Sequence, residues 1–113
     1  MDTFKTALSA AGFKGEIDDS PASRDFYSHD ASLFELRPEL IVSPKDSTDV
    51  QNLVKAVNAG RKTNSKLSIT ARSAGTDMSG GAINDSIIAD FNKHFTTISN
   101  VSPTEARTQP GVF

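Results

Sequence analysis

Apolar residues recur along the chain in two periods, and the switches between them mark out its elements. Phe4, Ala7, Leu8 and Ala11 follow Asp2 at helical spacing, and Gly12 stands where such a helix would stop. A short amphipathic helix therefore opens the chain. Lys14 to Ser32 is rich in Asp, Ser and Pro, with aromatics at Phe26 and Tyr27. Its turn residues predict an irregular segment wrapped over the core, with room for one helical turn after Pro21.

From Arg37-Pro38 onward the element types alternate. Leu40-Ile41-Val42, ended by Pro44, has the length and composition of a short buried strand. Asp46 or Ser47 then caps a helix whose apolar face is Val50, Leu53, Val54 and Val57, and Gly60 followed by Arg61-Lys62 supplies a stop and a favourable positive end. Leu67, Ile69 and Ala71 alternate with Ser68 and Thr70 as a second strand. This stretch predicts a β-α-β unit with parallel strands and a right-handed crossover. Ile87-Ile88-Ala89-Asp90-Phe91 is a third run of strand length, and the linker from Arg72 to Asp85 has no helical periodicity, so a loop joins these two strands. Ile98 and Val101 begin an edge segment that Pro103 interrupts. The chain closes on Pro110-Gly111-Val112-Phe113, a pattern expected inside an element of a longer protein.

A length of 113 residues sets the scale at one domain with one core. With 36% apolar residues, the sequence holds no run approaching the roughly 20 that span a bilayer. Met1 to Ala11 lack the basic start and apolar middle of a signal peptide, so a cytoplasmic location is expected. Cysteine is absent, which removes disulfides, thiolate nucleophiles, iron–sulfur ligation and cysteine-linked cofactors within these residues. A formal charge of -2, with Arg61-Lys62 the only close cationic pair, argues against nucleic acid as a partner. His29, His94 and the scattered carboxylates lack ligand spacing, so no metal site is expected. Each histidine reads as a surface or capping residue, Asp30 as an acceptor of local backbone hydrogen bonds, and Asp90 as the cap of the turn that follows it.

The segment Arg72-Ser73-Ala74-Gly75-Thr76-Asp77-Met78-Ser79-Gly80-Gly81-Ala82 follows directly on a strand and holds three of the seven glycines. Glycine permits positive φ and close approach, so successive N–H groups can point into one concavity and bind a diphosphate. Ser73, Thr76 and Ser79 add hydroxyl donors, and Arg72 either supplies charge or anchors the loop. The segment lacks the three-glycine spacing of the dinucleotide fingerprint, and no Gly-Lys-Ser or Gly-Lys-Thr occurs. On the glycines alone, a turn that merely joins two strands is as good a reading.

The wider order of motifs tips that balance. Tyr27-Ser28-His29-Asp30-Ala31-Ser32, then Pro38 to Pro44, the capped helix, Arg72 to Gly81, Ile88-Ala89-Asp90-Phe91 and Gln109-Pro110-Gly111-Val112 together resemble the opening of FAD-linked oxidases of the vanillyl-alcohol oxidase and p-cresol methylhydroxylase type. Within that family the D-lactate and glycolate dehydrogenase-like flavoproteins are the nearest in pattern. The resemblance implies an α/β fold, a small parallel sheet flanked by helices, in which residues 37–113 form the first half of the FAD-binding domain and residues 1–36 a preceding helix and wrapping segment. It implies that Arg72 to Gly81 wraps the pyrophosphate, with main-chain contacts from Ser73 to Thr76 and from Met78 to Gly80. It places Pro44 and Gly111 near the adenosine end. Family members commonly read Arg-Gly-x-Gly-Thr, and Ser73 here replaces the first glycine. Asp77 sets a carboxylate beside the phosphate site and is expected to turn outward. No histidine lies between Arg72 and Ala82, so the FAD is expected to be noncovalent. The resemblance further implies oxidation of a small 2-hydroxy acid in the full-length protein, with electrons passed to a separate acceptor and the catalytic base outside these residues. The competing class is a phosphate-ligand-binding or interaction module without redox chemistry.

Overall fold

A computed structural model describes residues 1–113. Helix α1 (Asp2–Ala10) buries Phe4 and Leu8, and Gly12 ends it at φ +87°, a left-handed turn that glycine adopts without a Cβ clash. The expected irregular segment contains more order than its composition announced. Glu16–Asp18 forms strand β1, and Pro21–Phe26 forms helix α2, with Ser20 as its cap and Pro21 at its first position. β1 lies at the sheet edge, antiparallel to β2 (Leu40–Ser43), with Ile17 opposite Val42. None of its three residues is fully buried, so no apolar pattern marked it.

Asp46 caps α3 (Ser47–Gly60), its carboxylate accepting the Asp49 N–H at 2.9 Å. The buried face of this helix is Asp49, Leu53 and Val57, while Val54, expected inward, is 54% exposed. The face is rotated because Asp49 faces the interior, where its carboxylate accepts the N–H groups of Lys14 at 3.0 Å and Lys45 at 2.9 Å. Nor does Gly60 act as a left-handed stop, since the chain continues through Arg61 at φ -62°. A Cβ on Gly60 would stand 2.8 Å from Leu67 Cδ2, so glycine there allows the strand that follows to pack close.

Strands β3 (Ile69–Arg72) and β4 (Ile87–Asp90) complete a four-stranded sheet in the order β1-β2-β4-β3. β2 and β3 are both parallel to β4. The two strands of the expected β-α-β unit are thus parallel to each other but not neighbours, because β4 lies between them. All four residues of β4 are buried, as a central strand covered on both faces requires. Phe4, Leu8 and Phe13 join Leu40, Val42, Leu53, Val57, Leu67, Ile87 and Ala89 in one core, so the first residues of the chain help to build it. Ile98–Ser99 (β5) pairs antiparallel with Arg107–Thr108 (β6) as a separate ribbon, and Val101 lies outside it, exposed. No helix is long and apolar enough to cross a membrane.

Candidate functional site

Parallel pairing brings the carboxyl ends of β2, β3 and β4 to one edge of the sheet, with Val42 level with Ala89 and Arg72 level with Asp90. That edge is where open α/β sheets hold ligands. Pro44, Ser73 and Phe91 leave the sheet there, and the glycine-rich loop begins.

Arg72 anchors this loop. It is 8% exposed, its guanidinium lies 5.1 Å over the Tyr27 ring, and its Nη1 donates to the His29 carbonyl at 2.6 Å. A Cβ on Gly75 would meet that guanidinium at 2.5 Å, and Gly75 has φ +69°. Only glycine leaves room for the arginine under the loop and adopts the turn around it. Gly80, at φ +84°, repeats the left-handed geometry against the Phe34 ring. Asp77 is exposed as expected, yet its carboxylate folds back along the loop, so that a Cβ on Gly81 would lie 3.0 Å from Oδ1.

The main chain through these turns is open. None of the N–H groups from Ser73 to Gly81 donates to a protein acceptor, and the next one, on Ala82, donates to Asp30 Oδ2 at 3.4 Å. Left-handed glycines alternating with right-handed or extended residues are how a run of N–H groups forms an anion-binding concavity. A diphosphate fits this donor set. Ala74, Thr76, Met78 and Ser79 are exposed along the same rim, whereas the Ser73 hydroxyl is already engaged. Ser73 Oγ lies 2.5 Å from the Pro110 carbonyl and 3.1 Å from Asn92 Oδ1, and Asn92 Nδ2 donates to the Ser73 carbonyl at 2.6 Å. Ser73 thus ties the loop to Asn92 and Pro110.

Two residues without an expected role complete the support. The Tyr27 hydroxyl donates to Asp90 Oδ2 at 2.6 Å, while Asp90 Oδ1 accepts the Asn92 N–H at 2.8 Å, the turn cap that Asp90 was expected to supply. Burial, and then this bond to the Asp90 carboxylate, push the Tyr27 phenol well above its ordinary range. Asp30 accepts the Ser32 N–H at 2.8 Å, and a hydrogen bond from the Ser32 side chain first, then the backbone bonds from Ser32 and Ala82, hold its carboxyl below the ordinary value. Asn92 carried no signal in the sequence, and Tyr27 was visible only as part of a longer run.

Pro44 is fully buried, so its ring offers a wall to its neighbours and no surface to a ligand. Gly111 is also buried; its N–H donates to the Phe95 carbonyl at 2.7 Å, and a Cβ there would collide with the Phe91 carbonyl at 2.3 Å. Packing alone accounts for that glycine. Beside it, Ala71, Arg72, Ser73, Phe91 and Pro110 line a shallow cleft of about 320 Å³ that opens next to the loop. His94 faces Glu16 at 2.7 Å and His29 faces Glu35 at 3.6 Å, both away from any ligand cluster.

A mostly parallel sheet with an open N–H loop at its carboxyl edge defines a domain that binds a phosphate-bearing cofactor. Residues 38–113 match the FAD binding domain family, which is more than half of the sequence. The chain belongs to that family, and its cofactor is FAD. It is 33% identical over 111 residues to D-2-hydroxyglutarate dehydrogenase of Escherichia coli (strain K12), covering 96% of this chain and 11% of the enzyme. The Pseudomonas putida (strain KT2440) enzyme of the same name is 31% identical over 110 residues, again covering 96% and 11%. The chain therefore spans about a tenth of the length of these dehydrogenases. Among solved structures, p-cresol methylhydroxylase with substrate bound superposes with a TM-score of 0.74 at 20% identity, over 98% of this chain and 22% of that one. Alkyldihydroxyacetonephosphate synthase also gives 0.74, at 22% identity, over 99% and 23%. These neighbours share the fold, a mixed α/β unit with a mostly parallel sheet flanked by helices.

Proposed function

We propose that residues 37–113 are the first half of the FAD-binding unit of a flavin-dependent dehydrogenase, and that residues 1–36 brace it. The observation that carries this reading is the unengaged N–H run from Ser73 to Gly81 at the carboxyl ends of three parallel strands. The N–H groups of Ser73, Ala74, Gly75, Thr76, Met78, Ser79 and Gly80 hold the pyrophosphate, Asp77 and Gly81 shape the loop, and Arg72 is its strut. Pro44 and Gly111 border the adenosine through the backbone turns they fix, not through side chains. Bound FAD would supply the hydride-accepting chemistry that oxidation of a hydroxy acid needs. The residues of this chain bind and orient that cofactor and exclude water from its phosphates, and the groups that move the substrate proton lie elsewhere in the protein. The loop has no histidine or cysteine, which favours noncovalent attachment.

The substrate in this reading is a small D-2-hydroxy acid. The names of the relatives favour a 2-hydroxy dicarboxylic acid over the D-lactate or glycolate that motif resemblance suggested. A separate acceptor takes the electrons. Purified full-length protein should be yellow, release its flavin into the supernatant on acid precipitation, and reduce an artificial dye faster with D-2-hydroxyglutarate than with D-lactate or glycolate. A colourless protein that takes up no FAD overturns the reading. Flavin that stays with the precipitate overturns only the noncovalent assignment.

A further inference from the structure

The strap that precedes β2 touches the phosphate loop at each of its turns. The Ala31 N–H donates to the Gly75 carbonyl at 3.1 Å, and the His29 carbonyl accepts from Arg72 Nη1 at 2.6 Å. The Phe34 ring lies 3.2 Å from where a Gly80 Cβ would stand. Asp30 is the strap side chain that bonds the loop main chain, with Oδ1 on the Ser32 N–H and Oδ2 on the Ala82 N–H. Ala82 is the first loop residue whose N–H is engaged, and it closes the open run at Gly81. A carboxylate beside an anion site is electrostatically unfavourable, since like charges repel at short range. Its presence calls for a compensating role, and the hydrogen bonds supply one.

We infer that Asp30 is a positioning residue for the phosphate loop: by bridging Ser32 and Ala82 it holds the curvature from Gly75 to Gly81 before the cofactor arrives. This rests on the FAD reading above. The bridging geometry, not the charge, carries the effect. Asp30→Asn keeps one acceptor oxygen, enough for one of the two N–H groups, and removes the repulsion. Asp30→Glu retains the charge and displaces both oxygens by one methylene. Asp30→Ala removes the bridge. The side chain is partly exposed and outside the core, so all three variants are expected to fold.

The test is FAD affinity by flavin fluorescence in the full-length apoprotein, with thermal melts of each apoprotein alongside. The Ala and Glu variants should bind about tenfold more weakly, the loss expected when one net hydrogen bond no longer preorganises a site. The Asn variant, with half of the bridge left and the repulsion relieved, should fall between Ala and wild type, about threefold weaker than wild type. A purely structural role would instead make affinity follow the melting temperature across the three. The inference is overturned if Glu binds as well as wild type, if Asn is as weak as Ala, or if affinity only follows melting temperature. Should the Ala variant fail to fold, the contrast between Asn and Glu still decides. A wild-type protein that takes up no FAD refutes the function reading and is thereby distinguished from a failure of Asp30 alone.

Discussion

Replacing Gly75 by alanine tests the architecture of the loop at its most crowded point. Two costs arise. At φ +69° an alanine loses about 1 to 2 kcal/mol relative to glycine, because its Cβ crowds the neighbouring carbonyl. The same Cβ would stand 2.5 Å from Arg72 Nη2 and 2.7 Å from Cζ, so the guanidinium has to move. Arginine is flexible at its end, but this one is buried, stacked on Tyr27 and bonded to the His29 carbonyl. Weakening a hydrogen bond from a charged group costs about 1.5 to 3 kcal/mol. Urea unfolding should therefore show Gly75→Ala destabilised by about 3 to 4 kcal/mol, a midpoint shift of about 2 M for a chain of this size. The double-mutant cycle separates the two costs. With Arg72→Ala in place the steric partner is gone, so Gly75→Ala should cost only the backbone share, leaving a coupling of about 2 kcal/mol. Additivity within about 0.5 kcal/mol would show that Arg72 does not fill the space under the loop, and the strut assignment would fail.

Other perturbations follow from single contacts. Tyr27→Phe deprives buried Asp90 of its hydroxyl donor and should cost about 2 kcal/mol by chemical denaturation. Because the folded state raises the Tyr27 phenol above its ordinary 10.0, its contribution is complete below that pH and is lost as pH rises above it. Melts between about pH 8 and about pH 11 should fall more steeply in wild type than in Tyr27→Phe, and parallel curves would refute the assignment. Glu16 behaves oppositely: its bond to His94, first among the causes, holds the carboxyl below its ordinary 4.5, so stability present above that pH is lost as pH falls through the folded value. Glu16→Gln should flatten the acid limb of the melting curve, and an unchanged limb would contradict the pairing. Asp49→Ala strands the Lys14 and Lys45 N–H groups and should cost about 3 kcal/mol, more than Asp49→Asn, which keeps one acceptor; equal losses would argue against the bridging role.

The parts of the fold that the sequence disclosed are those with a strong local period. Leu40–Ser43, the capped helix from Ser47, and Ile87–Asp90 all bury continuous or regularly spaced apolar residues. β1 escaped because a three-residue edge strand with no buried face leaves no alternation. The insertion of β4 between β2 and β3 was equally invisible, since strand order depends on long-range pairing, while periodicity reports only element type. Asp49 misled the helix face because a buried carboxylate looks polar in the sequence, and only tertiary contacts reveal the two N–H groups it serves. At the candidate site, glycine density allowed a phosphate loop and a plain connecting turn equally, and left the role of Arg72 open between charge and anchor. Its burial under Gly75 favours the anchor. Tyr27, Asp90 and Asn92 act through contacts across up to 63 positions of chain, and no local pattern encodes such a network.

In the proposed function the N–H groups from Ser73 to Gly81 receive the cofactor's pyrophosphate. Backbone amide NMR spectra of the protein, recorded during titration with FAD and separately with ADP, test it residue by residue. Both ligands should shift the amides of Ser73 to Gly81 most, with smaller changes at Phe91 and Gly111. Shifts that leave this loop untouched and fall elsewhere, for instance in the groove between α1 and α3 lined by Phe4, Ala56 and Leu67, would contradict it.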